Sequence, residues 1–411
     1  MNFEYFLAKR IIASKSYKSS ISAPIIKIGI AAIAIGIVVM LIAVATGKGL
    51  QQKIREKVVA FNGHATITNY DNNVSQESLV PLSTDQEFYP EFNLVDGVKS
   101  IQAVAHKFGI IRTEDNFEGL VLKGVGLDYN WEYMQSFLVD GRLPNLEDNY
   151  SPEVLVSKIV ADRLDFNVGD DFQMLFAKED VNKLPFIRKF SIVGIYNSGF
   201  QELDKTFILG DIQHVQRMNK WSDTMVGHFE IFVDDYENLD DIGRKIYQYT
   251  PSTMNTETVK QKYISIFEWI RIFDTNIYAI INIMIIVAGI NMITALLVLI
   301  LERTQMIGVL KSLGSSNWSI RKVFLINASY LILRGLFWGN LIGLGFLILQ
   351  SNFGLFPLNP DVYYVSEAPV FLDWTFILLL NIGTLVACLL MLLIPTILVS
   401  RIEPVKAMRF E

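Results

Sequence analysis

The side chains that could carry catalytic or metal chemistry are few in this 411-residue chain. Four histidines, His64, His106, His214 and His228, are scattered without the i, i+4 spacing of a helical metal site. We interpret them as turn or surface residues. The only cysteine, Cys388, lies inside a long apolar run, which excludes thiol catalysis and cysteine-ligated zinc. The sequence has no GxxxxGK[ST], GxSxG or HExxH motif. We therefore expect no catalytic residue, no metal and no bound cofactor.

Four apolar runs are the strongest pattern in the chain. Each has about twenty or more largely uncharged residues, the length that an α-helix needs to cross roughly 30 Å of hydrocarbon. Because a chain in lipid must satisfy its own backbone hydrogen bonds, the runs predict four transmembrane helices. They cover residues 25–44, 277–301, 323–349 and 376–399.

The distribution of charge predicts how these spans are oriented. Lys and Arg are concentrated at 1–23, 302–322 and 401–411, whereas the loop 350–372 has no basic residue. Basic segments stay in the cytoplasm, so both termini are expected there. The long polar segment 48–274 would then be exported. It carries 23 basic and 35 acidic side chains, and this acidic balance argues against a nucleic acid as partner.

The fold class that follows is a multi-pass α-helical membrane protein with four transmembrane helices. A large α+β periplasmic domain of one or two lobes would be inserted between helices 1 and 2. Helical spacing after the first run and before the second predicts a stalk helix at each end of that domain. The expected segments are an amphipathic cytoplasmic N-terminus (1–23), span 1 (24–47), the periplasmic domain with its stalks (48–272), span 2 (273–301), a cytoplasmic loop (302–320), span 3 (321–350), a short periplasmic loop (351–371), span 4 (372–400) and a cytoplasmic tail (401–411).

The loop after span 2 holds the most specific local pattern. Met306, Ile307, Val309, Leu310 and Leu313 have helical spacing, and the glycine that follows them is placed as a C-terminal cap. Such a helix could lie on the lipid surface. It could instead dock into a groove on a cytoplasmic partner and transmit force.

The string 302–314 resembles the coupling segment of the FtsX-like permeases, the MacB-type (type VII) ABC transporter subunits. The topology of one span, a large outer domain and three further spans is similar too. Further likeness lies at 61–67 (FNGHATI), 122–126 (LKGVG) and in the tail 401–411. The loop 363–370 (YYVSEAPV) resembles the lipoprotein-releasing branch, LolC and LolE.

The resemblance implies a subunit without chemistry of its own. A separate cytoplasmic ABC ATPase dimer would bind ATP and push on the loop, and a second permease copy, identical or related, would complete the complex. The substrate would be a lipoprotein, passed to a periplasmic carrier. The residues implied in ATPase coupling are Glu302, Arg303, Met306, Ile307, Gly308, Leu310, Lys311, Leu313 and Gly314.

Two further surfaces follow from the resemblance. A lipid-facing substrate groove between spans 1 and 2 would be lined by Ile37, Met40, Leu41, Met284, Val287 and Ile290. The loop 177–187 occupies the position where LolC carries a hook for its carrier. The candidate carrier-binding residues there are Glu179, Asp180, Lys183, Pro185 and Phe186.

One charge interrupts the apolar runs. Arg334 falls inside span 3, where a charge costs at least a few kcal/mol unless it is paired or reaches the interface. Asp274, Asp373 or a lipid headgroup could be its partner. Small residues on the same span predict close helix packing. They are Gly335, Gly339, Gly343 and Gly345.

Other functions share this architecture. A MacB-like exporter of a toxin or peptide needs the same coupling loop. An FtsX-like mechanotransmitter that activates a cell-wall hydrolase is a further alternative, although it predicts a smaller outer domain. A sensor without an ATPase and an enzyme with a hidden site rank below these.

Overall fold

The computed structural model describes residues 3–13, 23–70, 77–113, 116–147, 150–178 and 184–401. The chain forms two compact units. The helical unit is Met1–Gln51, Trp269–Pro357 and Glu367–Glu411, and the inserted domain is Gln52–Glu268 with Leu358–Ser366. The helices are α1 (Phe3–Ala13), α2 (Ala23–Asn62), α3 (Glu132–Phe137), α4 (Lys158–Leu164), α5 (Gln201–Asp204), α6 (Ile212–Asn219), α7 (Leu239–Tyr249), α8 (Val259–Lys262), α9 (Ile264–Glu302), α10 (Thr304–Ser312), α11 (Asn317–Phe353), α12 (Pro360–Tyr363), α13 (Trp374–Thr396) and α14 (Leu398–Arg401).

Four helices, α2, α9, α11 and α13, are long and apolar enough to cross a membrane. With 40 and 39 residues, α2 and α9 are about twice the length that a bilayer core requires. Their extra turns include charged residues, and the outermost of these turns belong to the inserted domain. The stretches expected to be stalks are therefore helical, with one break described below.

A stripe of glycines joins α2 to α11 in the helical unit. A methyl group added to Gly339 would lie 2.8 Å from the Ala34 carbonyl oxygen and 2.8 Å from Ile37 Cβ, and one on Gly335 would lie 2.7 Å from Ile33 Cβ. Such contacts are too short for carbon, so the absence of side chains is what lets these helices approach. The same holds for Gly343. No described residue lies within 4 Å of a methyl group added to Gly345, so the close packing expected there is not found within the described part of this chain.

Polar contacts also hold the helical unit. The amides of Asn340 and Asn381 exchange hydrogen bonds of 2.6 and 3.0 Å, which link α11 to α13. Lys48 pairs with Asp274 at 2.7 Å between α2 and α9. The amphipathic helix α1 packs Ala8 against α11.

The inserted domain is built on a mixed sheet. The strands are β1 (Ala65–Asn69), β2 (Leu82–Ser83), β3 (Val98–Arg112), β4 (Phe117–Val125), β5 (Leu138–Gly141), β6 (Glu153–Ser157), β7 (Asp171–Phe176), β8 (Phe186–Tyr196), β9 (Phe207–Asp211), β10 (Met225–Val226), β11 (His228–Val233) and β12 (Met254–Thr258). Ten of them form one sheet in the order β12-β1-β11-β3-β4-β9-β6-β8-β5, with β7 paired to β3 and β8, while β2 pairs with β10. Because most of the described strands belong to a single sheet, the inserted domain is better described as one lobe than as two.

The first and last strands of the domain are neighbours. In the β1–β12 pair, Ala65 lies opposite Thr258. Gly63 ends α2 with a left-handed φ of +66°, and a side chain there would meet the backbone of Ile231 at 3.0 Å. Thr258 begins α8 with a capping box closed by Gln261. The second stalk was expected to be one continuous helix, but it is interrupted at Tyr263 between α8 and α9.

The segment Leu358–Ser366 belongs to the inserted domain although it lies between α11 and α13 in sequence. Tyr364 stacks on Phe200 with ring centroids 4.5 Å apart, and its backbone oxygen accepts a 2.7 Å hydrogen bond from Lys57 Nζ. Tyr364 adopts a left-handed φ of +59°, an uncommon conformation for an aromatic residue. This loop is therefore packed against the domain and does not simply connect two spans.

Candidate functional site

The candidate coupling segment forms the short helix α10. It follows α9 after a break at Arg303 and ends where Gly314 takes a left-handed φ of +88°. The N–H of Gly314 donates to the Lys311 carbonyl at 3.0 Å, which satisfies one carbonyl of the last turn. The predicted helical spacing and glycine cap agree with this geometry.

The apolar residues of α10 are divided between two faces. Ile307 is fully buried, and Met306 and Leu310 pack partly buried against the same core. Val309 is 44% exposed and Leu313 is 78% exposed. The first set anchors α10 to the helical unit, and the second set remains exposed for contact with a partner. Trp318, which the sequence did not single out, is 54% exposed and lies shortly after it in sequence.

Charged groups flank this outer face. Glu302 is exposed at the end of α9, and Lys311 is partly buried on α10. Desolvation, together with the positive charge of Arg321, lowers the pKa of Lys311. Gly308 is buried, and because it has no side chain it allows α10 to pack closely.

The span 1 residues of the expected substrate groove are buried in the helical unit. Ile37, Met40 and Leu41 are at most 3% exposed. Ile37 and Leu41 lie against the glycine stripe of α11, as the contacts of Gly339 and Gly343 show. Ile37 and Leu41 are therefore covered by span 3, and Met40 belongs to the same apolar core.

The span 2 side of the groove has a different environment. Val287 and Ile290 are 43% and 57% exposed, whereas Met284 is partly buried against the core. The exposed pair lies on one face of α9 at i, i+3 spacing. This face could contact lipid or a second subunit.

Arg334 has a surface position on α11. Its guanidinium lies 4.6 Å from the ring centroid of Tyr330, one turn earlier. The two suggested carboxylates are used elsewhere: Asp274 pairs with Lys48, and Asp373 accepts from the Thr375 N–H at 2.7 Å. Pairing of Arg334 with either acid is therefore not found in the part of the chain that the structure describes.

The candidate carrier loop connects the antiparallel strands β7 and β8. Glu179, Asp180 and Lys183 lie outside the described residues, as do residues 402–411 of the tail. Phe186 is the first residue of β8, and its ring centroid lies 4.6 Å from Lys178 Nζ. Pro185 lines an open groove of about 620 Å³ together with Phe117 of β4.

The groove lining is mixed, with Arg112, Thr113 and Asn116 beside apolar residues, and further apolar side chains near it are exposed. Leu184 is 85% exposed, Phe117 77% and Ile187 54%. Ile110, Leu175 and Ile187 face one another in register across β3, β7 and β8. This end of the domain therefore presents an apolar surface next to the loop.

The histidines contradict their interpretation as turn or surface residues. His106, His214 and His228 are buried, and burial lowers the pKa of each. His64 is half-buried, and burial lowers its pKa to about 4. These histidines are therefore best described as neutral imidazoles packed in the core of the domain.

Two of these histidines lie beside a buried ion pair. His106, His228 and Glu230 place ligand atoms within 4.8 Å of one another, a cluster that could hold a metal ion. However, Lys123 Nζ lies 2.6 and 2.9 Å from the two Glu230 carboxylate oxygens. Because an ammonium already neutralises this carboxylate, the cluster does not suit a cation. The sequence feature that points to this ion pair is a lysine, Lys123, inside an otherwise apolar strand.

Two family models match successive parts of the chain. The MacB-like periplasmic core domain matches residues 28–249, and the FtsX-like permease C-terminal domain matches residues 278–404. This chain belongs to the FtsX-like, MacB-type permease family. Members of this ABC permease family are typically non-catalytic, consistent with the sparse chemical inventory.

Named relatives of this permease cover nearly its whole length. It is 20% identical to the lipoprotein-releasing system transmembrane protein LolC of Xylella fastidiosa (strain 9a5c), with 92% of each chain aligned. It is 19% identical to LolE of Haemophilus influenzae, with 99% of each aligned. The crystal structure of the periplasmic region of MacB from Actinobacillus actinomycetemcomitans covers 49% of this chain and 91% of its own, at 13% identity and a TM-score of 0.33. The four apolar helices and the named relatives indicate a protein of the bacterial inner membrane.

Proposed function

We propose that this chain is the permease subunit of an ATP-driven transporter that releases lipoproteins from the inner membrane to a periplasmic carrier. A separate cytoplasmic ABC ATPase dimer binds and hydrolyses the ATP, and a second permease copy completes the complex. Both termini and α10 lie in the cytoplasm, and the inserted domain lies in the periplasm. The observation that carries the proposal is the near-complete alignment with relatives named LolC and LolE.

The coupling role of α10 is supported by its two faces. Ile307 holds the helix to the core of the helical unit, so a push on α10 is passed to the spans. Val309 and Leu313 remain outside and offer an apolar contact of the kind that fills a groove on another protein. Glu302 lies at the end of the preceding helix, and Lys311 lies between Val309 and Leu313 in sequence.

The energetics of the substrate explain why ATP is needed. Each buried CH₂ of an acyl chain contributes about 0.8 kcal/mol to membrane anchoring. Two or three chains therefore hold a lipoprotein far too firmly for spontaneous release. Since Ile37, Met40 and Leu41 are covered, the lipid-facing route assigned to the substrate runs along Val287 and Ile290 of span 2.

Capture of the product is assigned to the loop between β7 and β8. The exposed Leu184 and the partly apolar groove at Pro185 suit a carrier that itself binds acyl chains. Glu179, Asp180 and Lys183 remain candidates for the polar part of this contact.

The proposal is tested with two matched substitutions, each of which replaces an exposed leucine by aspartate. We expect Leu313→Asp to abolish co-purification of the ATPase, whereas Leu184→Asp leaves it intact. Carrier capture should show the reverse pattern. In proteoliposomes with ATPase and ATP, the wild-type protein should release acylated lipoprotein to the carrier. Absence of ATP-dependent release from an assembled complex, or binding of the ATPase unaffected by Leu313→Asp, would contradict the proposed function.

A further inference from the structure

A fully buried ion pair lies within the inserted domain. Lys123 on β4 and Glu230 on β11 are both 0% exposed, and their charged atoms are 2.6 Å apart. Gln102 on the intervening strand β3 donates to the second Glu230 oxygen at 2.8 Å. The pair thus ties three adjacent strands together on one face of the sheet.

The same lysine also holds the end of the first stalk. Lys123 Nζ donates a 2.8 Å hydrogen bond to the backbone oxygen of Phe61, in the last turn of α2. A carbonyl in that turn has no partner within its own helix, and the negative end of the helix dipole favours a cation there. Phe61 itself is fully buried among aromatic rings. The helix end is therefore fixed by both its backbone and its side chain.

The second stalk is joined to the first at the next residue. Asn62 Oδ1 accepts hydrogen bonds from Lys262 Nζ at 3.1 Å and from the Tyr263 hydroxyl at 2.9 Å. Lys262 and Tyr263 lie at the break between α8 and α9. One amide oxygen thus connects the C-terminal end of one stalk to the N-terminal end of the other. We call Phe61, Asn62, Lys123, Glu230, Lys262 and Tyr263 the stalk junction.

Stability alone is a weak reason for this arrangement. Burial opposes ionisation of Glu230, and only the neighbouring Lys123 and His228 keep the pKa of that carboxyl below its ordinary value. Desolvation likewise lowers the pKa of Lys123, against the effect of Glu230. Apolar residues of similar volume often replace a buried ion pair without loss of stability. What an apolar cluster cannot supply is directional bonds to Phe61 and Gln102, which fix one geometry.

We propose that Lys123, Glu230 and Asn62 are positioning residues that clamp both stalk ends to the sheet, so that displacement of the stalks moves the inserted domain as one body. The inference rests on the proposed function, in which α10 is driven by an ATPase. Loss of the clamp separates ATP hydrolysis from movement of the domain without disturbing the ATPase contact.

The test uses the full chain with Cys388→Ser, which leaves no other thiol, so that two cysteines can be added for spin labels. Gln52 on the first stalk and Asp140 on β5 are exposed and both lie in the inserted domain. The clamp variants are Lys123→Met with Glu230→Gln, which leaves no unpaired charge, and Asn62→Ala. Asn62→Asp keeps an acceptor for Lys262 and Tyr263. The matched control is Lys107→Met with Glu77→Gln, an ion pair of the same residue types at 2.9 Å that the stalk contacts do not use.

We expect a narrow distance distribution between the labels in the wild type, in Asn62→Asp and in the control pair. Both clamp variants should broaden it, with an increase of about tenfold in the population of open junction, the effect of losing a charged hydrogen bond. In the reconstituted complex, lipoprotein released per ATP hydrolysed should fall in proportion to the loss of closed junction while the hydrolysis rate is retained. Circular dichroism at the measuring temperature confirms that each variant is folded.

The two failures are distinguishable. Unchanged distances and unchanged release per ATP in both clamp variants would overturn the stalk junction. Broadening in the control pair or in Asn62→Asp to the same degree would also overturn it, since the effect would then be general. If even the wild type releases no lipoprotein but the clamp variants still broaden the distances, the proposed function fails and the junction stands.

Discussion

Replacing Gly339 by alanine should separate spans 1 and 3. The added carbon would meet the Ala34 carbonyl oxygen and Ile37 Cβ at 2.8 Å, about 0.6 Å short of ordinary contact near 3.4 Å. The carbonyl oxygen belongs to the backbone, so a rotamer change cannot relieve the clash and the helices must move. Overpacking of this kind costs about 1–3 kcal/mol.

Gly345→Ala on the same helix is the matched control. Nothing lies within 4 Å of the carbon that it would add. Both substitutions gain roughly 0.5–1 kcal/mol of helix propensity, so the difference between them isolates the packing cost. Relative to Gly345→Ala, the opening equilibrium of the helical core should rise by about 5- to 150-fold in Gly339→Ala.

Cys388 provides the assay. It is the only cysteine in the chain, it is fully buried, and it packs in the same apolar core as Ile37. Its rate of reaction with a maleimide therefore reports opening of that core in detergent or nanodiscs. Faster labelling is expected in Gly339→Ala and an unchanged or slower rate in Gly345→Ala. Equal rates in the two variants would show that span 1 does not pack on the glycine stripe.

Three further predictions concern polar groups. Asn381→Leu breaks the amide pair with Asn340 and should accelerate Cys388 labelling by an amount equivalent to about 0.5–2 kcal/mol, with partial recovery when Asn340→Leu is added. The pKa of His64 is lowered to about 4 by burial, so its contribution to folding is present above about pH 6.5 and is lost as pH falls through about 4. Thermal melting of the whole protein should show this loss, worth up to about 3 kcal/mol, and His64→Gln should reduce it. Burial raises the pKa of Asp204 to about 6, so protonated Asp204 stabilises the fold below about pH 4, and this stability is lost as pH rises through about 6. Asp204→Asn should remove this pH-dependent change in stability, and a pH profile identical to that of the wild type would refute the assignment.

Much of the architecture could be predicted because hydrophobic length and period-2 alternation are local signals. The four apolar runs and the helical stretches next to the inserted domain were recognisable from such signals. The coupling helix was recognisable for the same reason, since Gly314 marks its end. Strands such as β9, which is buried throughout, lack alternation and were not assigned.

The remaining features depend on contacts between residues far apart in sequence. No pattern within span 1 shows that Ile37 faces Gly339, because an apolar residue suits lipid and a helix interface equally well. The histidines were misjudged for a related reason, since burial comes from neighbouring strands. Lys123 was visible as an anomaly in an apolar strand, but its partner Glu230 lies 107 residues away.

Because β1 pairs with β12, the points where the chain enters and leaves the sheet of the inserted domain lie side by side. A module whose ends meet in this way can be exchanged for another without changing the spacing of the helices that carry it. Grafts at Gly63 and Thr258 would therefore be the natural boundaries for chimaeras between permeases. The same geometry offers a route by which permeases of this family could diversify the inserted domain during evolution while conserving the membrane helices.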